Sequence, residues 1–465
     1  MGCPFKVSSI QDANAAIADT APKARDIFAL AWPMTIKAVF LHGTIVIDGW
    51  LVSSLGEVSL AAMGLAAAIG GIALGVIFAF SHAMQIRTAQ ASGTSDPIFL
   101  KSALASGLAV SIAIGLFGIL AILTAGGPVI DTFAPTAEVA DQARAYLTVF
   151  TLVILFEAIG QCLSSYFNGC GRTRLPLYGY CLSVPINIAA SVGLIHGLWG
   201  LPTLGVAGAA AGSAIAVAVQ VAFFASQLWR LDKHLLDVSG WRNVTFRQTT
   251  QRHLTFALPI AATFVSATVA THVCTLIYAG MALNDFAAMT VIAPWNMVAG
   301  QIAMQWTQAT GILVAQMLGR HASEAALDRF LSSAWRGAFV AAAIVALIFV
   351  ALTLSVDRVY AGLTPETRAT LFGFLPILVL SSFPRATNAI CGNTLRASGD
   401  TIYVMHIFLW SQWLFRVPAT ALAVMVLGLP AFWVLAIILG EEIVKFWPFH
   451  SRLWKGDWKR ADVTV

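Results

Sequence analysis

Residues 60–80 read LAAMGLAAAIGGIALGVIFAF, a run with no charged side chain inside an apolar stretch at 59–86. The hydrocarbon core of a bilayer is about 30 Å thick, and a helix needs about 20 apolar residues to cross it. Every backbone N–H and C=O in lipid must find a partner within the protein, which a helix provides locally. The sequence therefore predicts a membrane-spanning helix here.

Eleven further apolar stretches of comparable length occur along the 465-residue chain. They lie at 27–52, 102–125, 145–168, 177–199, 204–229, 254–280, 286–318, 330–355, 369–394, 402–428 and 429–447. Only 11% of the residues are charged and 58% are hydrophobic, whereas a soluble domain has about 25% charged residues. This composition excludes a soluble enzyme and a soluble domain with one anchor. We predict an all-α integral membrane protein with twelve transmembrane helices.

The basic residues indicate the orientation of these helices. With the N-terminus inside, 20 Lys and Arg residues of the connections are cytoplasmic, against Arg144, Arg358 and Arg368 outside. Cytoplasmic connections carry the excess of Lys and Arg, so we expect both termini in the cytoplasm and the protein in the cytoplasmic (inner) membrane. The net charge of +5 follows from this topology. The longest polar stretch, about 230–253, is too short for a nucleic-acid-binding domain, so we expect no nucleic-acid partner.

The sequence gives no sign of a cofactor site. Its six cysteines are far apart and form no CxxC pair, so metal or redox chemistry is not indicated. The motifs HExxH and GxSxG are absent, which argues against a membrane enzyme. We expect no cofactor beyond a coupling ion.

The two halves of the chain resemble each other. Pro33 corresponds to Pro259 at a shift of 226 residues, and Ala89-Gln90-x-x-Gly93 corresponds to Ala315-Gln316-x-x-Gly319 at the same shift. Gly171-x-Thr173 corresponds to Gly399-x-Thr401 at a shift of 228. Two copies of a six-helix unit therefore follow one another. Because six is even, both copies point the same way, and their pseudo-twofold axis lies along the membrane normal.

This repeat predicts the domain organisation. The expected parts are a cytoplasmic N-terminal segment at 1–26, a six-helix lobe at 27–229, a cytoplasmic linker at 230–253, a second six-helix lobe at 254–447 and a cytoplasmic tail at 448–465.

Several short motifs resemble the multidrug and toxic compound extrusion (MATE) family, and they run through nearly the whole chain in the family's order. They are Val46-Ile47-Asp48-Gly49-Trp50-Leu51-Val52, Leu60-Ala61-Ala62-Met63-Gly64-Leu65, Ala89-Gln90-x-x-Gly93, Asn168-Gly169-x-Gly171-x-Thr173-Arg174, Leu204-Gly205-Val206-Ala207-Gly208-Ala209-Ala210, Leu395-Arg396-x-x-Gly399-Asp400-Thr401 and Trp413-x-x-Arg416-Val417-Pro418. The resemblance implies two lobes arranged as a V, and an antiporter that exports organic cations in exchange for inflowing H⁺ or Na⁺. Its partners would be a small-molecule substrate and the lipid bilayer, and we expect a monomer.

Four acids lie within apolar stretches: Asp48, Glu157, Glu441 and Glu442. An ionisable residue at membrane depth is costly and calls for a function or a partner. Asp48 matches the acid that the family carries in the first helix. Burial disfavours the charged form of a carboxylic acid, so such an acid can hold a proton and release it when a cation arrives. The alternative is an acid satisfied by neighbouring hydrogen bonds.

Two further residues join this candidate ion-coupling site through the resemblance. Asn187 matches a polar position of the family's N-terminal lobe. In the DinF-like branch a second acid follows one helical turn later, where this chain has Ser191. Lys37 precedes Asp48 by 11 residues, which is about 16 Å along a helix. Lys37 therefore cannot neutralise Asp48 directly.

The second lobe departs from the NorM-like branch of the family. That branch has an acid in span seven, at Ala267 or Ser266 here, and another in span ten, which falls on Arg385. Because the acids are missing and one is replaced by a positive charge, we favour H⁺ over Na⁺ as the coupling ion.

Glu157 and Arg385 are related by the repeat shift of 228 residues. We hypothesise that they approach each other across the cavity between the lobes, or line it. Alternatively, each is satisfied within its own lobe. Trp295, Met304 and Asn388 are further candidates for the cavity wall. An aromatic ring such as that of Trp295 attracts organic cations; packing roles are the alternative for these residues. Lys37, Arg385 and Arg416 would also suit a flippase relative that moves a lipid-linked or anionic substrate, which is the alternative function.

Overall fold

The computed structural model describes residues 21–94, 96–233, 245–360 and 362–461. Within these ranges the chain is almost entirely helical, with twelve long helices. They are α1 (Ala24–Ser53), α2 (Glu57–Thr94), α3 (Pro97–Phe133), α4 (Ala137–Gly169), α5 (Arg174–His196), α6 (Val206–Asp232), α7 (Thr245–Tyr278), α8 (Leu283–Gly319), α9 (Glu324–Leu354), α10 (Pro365–Ala397), α11 (Thr401–Val426) and α12 (Ala431–Trp454). Short helical turns lie at Leu198–Gly200, Val356–Val359 and Asp457–Arg460.

These helices confirm the all-α membrane prediction. By length and composition, α1 to α11 can each cross a membrane. The last helix, α12, has 24 residues but carries Glu441, Glu442 and Lys445 near its middle, which interrupts its apolar run.

Most helices extend beyond the predicted spans, because hydropathy detects only the part in lipid. Polar caps fix several of the true ends: the Asp96 carboxylate accepts the N–H of Ile98 at 2.8 Å at the start of α3. The predicted segment boundaries shift accordingly. Helix α1 begins three residues before residue 27, and α7 includes the last part of the predicted linker at 230–253. Helix α12 continues seven residues into the predicted tail. Residues 1–20, 234–244 and 462–465 of these segments lie outside the described residues.

Helix α11 is irregular around Pro418. Wide π-type turns at Ser411–Arg416 and Leu422–Val426 flank the regular turns at Val417–Ala421. Proline lacks an N–H and its ring clashes with the carbonyl four residues earlier, and a π-bulge is a common way for a helix to absorb such a disturbance.

The described chain forms two compact units. The N-terminal unit comprises residues 33–88 and the described part of 96–264. In it, α4 packs against α3 and α6, and α5 packs against α6. Its most deeply buried large side chains include Tyr166, Phe167 and Phe224. The unit is thus organised around α4.

The C-terminal unit comprises the described residues of 1–32, 89–95 and 265–465. Here α10 packs against α8, α9 and α12, so α10 has the central role that α4 has in the N-terminal unit. The boundaries of the units fall inside α1, α2 and α7. The lobes at 27–229 and 254–447 stay a prediction from the repeat.

The repeated Gln-x-x-Gly motifs meet in the C-terminal unit, where the end of α2 crosses the end of α8. A Cβ on Gly93 would collide with the carbonyl oxygen of Gln316, and a Cβ on Gly319 would collide with that of Gln90. The two contacts are equivalent under the 226-residue shift. The Gln90 side chain also donates to the Ala397 carbonyl at 2.8 Å. Glycine is therefore required at both positions so that the two backbones can touch.

Candidate functional site

The Asp48 carboxylate lies in the N-terminal unit, at the meeting point of α1, α5 and α6. Its Oδ2 accepts a hydrogen bond from Ser213 Oγ at 3.0 Å, and Ser213 Oγ in turn accepts one from Asn187 Nδ2 at 2.9 Å. Asp48 is 8% exposed and Asn187 2% exposed. The second carboxylate oxygen of Asp48 and the amide oxygen of Asn187 are buried without a hydrogen-bond partner among the described residues. One bridging hydroxyl thus connects the two residues.

Small residues in α6 allow this arrangement. A Cβ on Gly208 would lie 2.6 Å from the Leu194 carbonyl carbon, and a Cβ on Gly212 would lie 2.6 Å from the Ser191 backbone nitrogen. Helices α5 and α6 therefore touch through backbone at these glycines, which brings Asn187 to Ser213. Ser191, one turn after Asn187, is fully buried against Gly212, and its hydroxyl has no partner among the described residues.

A cavity of about 310 Å³ opens beside Asp48. Its wall comes from α1, α2, α4, α5 and α6, all within the N-terminal unit. Asp48, Asn187 and Ser213 form one side of the wall. Four aromatic rings and four further polar side chains also line the cavity: Phe78, Tyr146, Phe150, Tyr180, His42, Thr44, Ser183 and Gln220. The cavity is therefore mostly apolar, with a single carboxylate.

A second set of polar side chains, from α1 and α4, lies next to Tyr180 in the same unit. Glu157 Oε2 accepts a hydrogen bond from Gln161 Nε2 at 2.8 Å, and Gln161 Nε2 also lies 3.0 Å from the Tyr180 hydroxyl. Lys37 Nζ donates to Ser164 Oγ at 2.7 Å and lies 5.5 Å from the centre of the Tyr180 ring. Glu157 and Lys37 attract each other electrostatically. Lys37 is thus held by Ser164 and by the Tyr180 ring, in the same region as Glu157.

The C-terminal unit contains a buried charged cluster, which we define as Arg385, Arg416, Glu441, Glu442 and Lys445. Lys445 Nζ donates to Glu441 Oε1 at 3.2 Å and to Glu442 Oε1 at 3.0 Å. Arg385 Nε lies 3.7 Å from Glu442 Oε1, and Arg416 Nη1 lies 3.7 Å from Glu441 Oε2. Three cations thus accompany two acids, about midway along α12.

Two asparagines attach to this cluster. Asn388 Nδ2 donates to the Glu442 carbonyl at 2.7 Å and to its carboxylate at 3.0 Å. Asn296 Oδ1 accepts from Arg385 Nη1 at 3.0 Å. The sequence places Glu441, Glu442 and Lys445 within about one helical turn of each other, which indicates local pairing. It does not show that Arg385 and Arg416 join them, because these two residues lie on other helices.

The structure gives each remaining candidate residue a definite place. Glu157 and Arg385 both have partners within their own units, as described above. Trp295 Nε1 donates to the Tyr360 hydroxyl at 2.9 Å, and Met304 is 37% exposed. Ser266, where the NorM-like branch would place an acid, donates to Gln412 at 2.8 Å and accepts from Trp413 at 2.9 Å.

Among the described residues, no group of three or more His, Cys, Asp or Glu side chains is arranged to hold a metal ion. The site instead offers one carboxylate, an amide and hydroxyls beside an aromatic cavity. Such a wall can bind and release a proton or a cation.

Comparison with known proteins identifies the family. A model of the MatE family matches residues 33–192 and again residues 259–422. The chain belongs to the MatE family. It is therefore a multi-pass membrane transporter and not an enzyme, and transporters of this family need no cofactor. The two matches begin at Pro33 and Pro259, the same residues that define the repeat in the sequence.

Several relatives resemble the chain over nearly its whole length. An uncharacterized transporter of Bacillus subtilis, YisQ, is 23% identical over 455 residues, covering 95% of this chain and 97% of the relative. The probable multidrug resistance protein NorM of Deinococcus radiodurans is 25% identical over 454 residues, covering 94% of this chain and 92% of NorM.

Solved structures show the same fold. A crystal structure of a MATE transporter in its bent conformation matches with a TM-score of 0.82 and 19% identity, covering 95% of this chain and 98% of that chain. A MOP superfamily transporter from Pyrococcus furiosus matches with a TM-score of 0.81 and 18% identity, covering 95% of this chain and 98% of that chain. These likenesses confirm the predicted MATE-like fold class.

Proposed function

We propose that this MatE transporter exports organic cations in exchange for inflowing H⁺, by alternating access of two lobes. One observation carries the proposal: the Asp48 carboxylate stands in the wall of an aromatic cavity, with one oxygen bonded to Ser213 and the other buried without a hydrogen-bond partner in the described part of the chain. A buried carboxylate in this setting must be neutralised by a proton or by a cation. The two therefore compete for Asp48, which couples their movements.

The chemistry of the cavity supports an organic cation as the substrate. Aromatic faces attract cations, and more strongly where water is excluded. A volume of about 310 Å³ lies in the range of small-molecule sites. Several relatives are named as probable multidrug resistance proteins, which supports a drug-like substrate.

The charged cluster of the C-terminal unit favours H⁺ over Na⁺. Its two acids are already compensated by Lys445, Arg385 and Arg416. A sodium ion there would meet an excess of positive charge. This leaves Asp48 as the coupling acid, with Asn187 linked to it through Ser213 and Ser191 one helical turn further along α5.

The remaining parts of the proposal follow from the positive-inside pattern and from the expected transport cycle. We place the protein in the cytoplasmic membrane of a microbe, with both termini in the cytoplasm, as a monomer that acts on small molecules and binds no nucleic acid.

Reconstitution into proteoliposomes tests this function. Ethidium is a suitable probe, because its fixed charge prevents trapping by protonation. In inside-out molecules an acidic lumen should drive ethidium accumulation. A lumen rich in sodium, at equal pH on both sides, should not drive it. Asp48→Asn should abolish the accumulation while protein remains in the membrane. Glu138→Gln, an acid in the first turn of α4 that the cavity does not include, is the matched control and should transport normally.

Normal proton-driven accumulation by Asp48→Asn would remove Asp48 from the mechanism. Accumulation driven only by a sodium gradient would show that the coupling ion is Na⁺ and not H⁺.

A second candidate is the export of an anionic or lipid-linked substrate. The observation in its favour is the excess positive charge of the cluster, in which the Arg385 side chain is 35% exposed. The solved Pyrococcus furiosus transporter is itself described as having a binding pocket of reversed polarity. Accumulation of carboxyfluorescein in place of ethidium, in the same proteoliposomes, would favour this candidate.

A further inference from the structure

Tyr180 lines the cavity beside Asp48, and two charged side chains outside the lining, Lys37 and Glu157, lie close to it. We call Tyr180 the floor of the cavity. Leu41 and Val153 line the cavity. Lys37 precedes Leu41 by four residues and Glu157 follows Val153 by four. Residues four apart lie on one face of a helix. Lys37 and Glu157 therefore sit one helical turn beyond the cavity, on the faces that line it.

Hydrogen bonds connect Tyr180 to Glu157, and a cation–π contact connects it to Lys37. Tyr180 lines the cavity, and its hydroxyl accepts a hydrogen bond from Gln161, which also donates to Glu157. The Tyr180 ring meets Lys37, whose ammonium donates to Ser164. Glu157, Gln161 and Ser164 stand at positions i, i+4 and i+7 of α4, which is one stripe of the helix. A continuous polar stripe thus leaves the cavity along α4.

The depth of this stripe fits a path across the membrane. Asp48 lies 24 residues from the start of α1 at Ala24, which is about 36 Å along the helix. Glu157 lies 12 residues from the end of α4 at Gly169, about 18 Å. In the proposed orientation both ends face the cytoplasm. A proton bound at Asp48 therefore remains far from the cytoplasm, and Glu157 lies about halfway.

We propose that Glu157 and Lys37 form a second proton station, which receives the proton after Asp48 releases it and passes it toward the cytoplasm. The inference rests on the proposed function. An O–H bond breaks at Asp48 as the organic cation takes its place, and water in the cavity carries the proton to the floor. An O–H bond then forms at the Glu157 carboxylate. Lys37 keeps its charge throughout, so the station alternates between net charges of zero and +1.

The role of Lys37 is to limit the stay of the proton. Burial alone would hold the proton on Glu157, whereas a neighbouring ammonium favours the ionised carboxylate. The proton therefore leaves again toward the cytoplasmic end of α4, past Ser164. Lys37 is a positioning residue in this scheme, since it acts through Glu157.

The test separates proton movement from substrate movement. Accumulation of ethidium against a pH gradient requires net proton transfer, whereas exchange of radiolabelled for unlabelled ethidium at equal pH does not. The double variant Glu157→Gln/Lys37→Met removes both charges together, which avoids leaving one buried charge unpaired. We expect exchange within twofold of wild type and proton-driven accumulation slowed at least tenfold. Asp48→Asn should lose both activities.

If the two charges are merely structural, the double variant should show proton-driven accumulation at the wild-type rate, and this result would overturn the inference. Loss of both activities in a double variant with a normal melting temperature would also overturn it, because Glu157 and Lys37 would then serve the substrate path. If the double variant does not fold, Gln161→Met decides. This change removes the amide that donates to Glu157, at a residue outside the cavity lining; it should slow proton-driven accumulation while leaving exchange intact, and unchanged accumulation would contradict the relay.

The matched control is Arg172→Met/Asp232→Asn, which removes another opposite-charge pair of the same unit. Arg172 Nη1 bonds Asp232 Oδ2 at 2.5 Å, between the α4–α5 connection and the end of α6. It should keep both activities. If wild-type protein shows no proton-driven accumulation, the proposed function has failed. If wild-type protein shows proton-driven accumulation and the double variant Glu157→Gln/Lys37→Met shows it equally, the proton station alone has failed.

Discussion

Replacing Ser213 with alanine should change the pH dependence of export, because this hydroxyl is the link between Asp48 and Asn187. Its oxygen donates to the carboxylate at 3.0 Å and accepts from the amide at 2.9 Å. A hydrogen bond to a charged group contributes about 1.5–3 kcal/mol. Without this hydrogen bond the ionised form of Asp48 loses stabilisation, whereas the protonated form loses little. Asp48 should therefore bind and release its proton at a higher pH.

The size of the shift follows from the same figures. About 1.4 kcal/mol corresponds to one pH unit, so we expect the midpoint of the pH profile of ethidium export to rise by about 1–2 units. The assay measures initial rates in proteoliposomes across a pH series at constant pH difference. Ser213→Thr keeps the hydroxyl and should keep the wild-type profile. Ser183→Ala removes another cavity hydroxyl and serves as the control. An unchanged midpoint in Ser213→Ala would refute the link between Ser213 and the coupling acid.

Two further changes test the packing of the C-terminal unit. Gly319→Ala forces a methyl group into the Gln90 carbonyl. The free energy of unfolding should therefore fall by about 1–3 kcal/mol, and the transport rate should fall with it. The control is Gly300→Ala in the same helix, where a Cβ meets nothing within 4 Å; it should alter neither the melting temperature nor the transport rate. Glu442→Gln removes a counter-charge from Arg385 and Lys445, and because unpaired buried charges cost about 3–5 kcal/mol, the melting temperature of the solubilised protein should drop clearly. A melting temperature equal to wild type would show that the cluster is solvated.

The helices and the repeat could be predicted from sequence, because both depend on patterns that are local or internal to the chain. Apolar length predicts where lipid surrounds the helix, but it misses the polar turns that continue α2 to Thr94 and α7 back to Thr245. Hydrogen bonds and caps determine those ends, and hydropathy does not measure them.

The candidate site was predictable only in part. Asp48 stood out because an acid in an apolar stretch is costly, and Asn187 followed from the family resemblance. Ser213 was missed because a serine among alanines and glycines looks like a packing residue. Its role depends on the close approach of α5 and α6, which is a tertiary property.

The charged residues show a different limit of sequence reasoning. The repeat relates Glu157 to Arg385 and indicates that they lie at similar depths, but it does not reveal which neighbours they face. Arg385 meets Glu442 because α12 packs beside α10, and Lys37 of α1 donates to Ser164, which lies two turns along α4 from Glu157. Likewise, Arg416 pairs with Glu441 because α11 packs beside α12.

The crossing of α2 and α8 constrains how the two copies of the repeat can diverge. Each glycine is pressed against main chain supplied by the other copy, and main chain cannot be exchanged for something smaller. A bulkier residue on either side therefore has no compensating partner mutation. Substitutions in the first copy are therefore restricted by the second copy at this crossing. A hybrid transporter assembled from halves of two relatives would need glycine at this position in both halves.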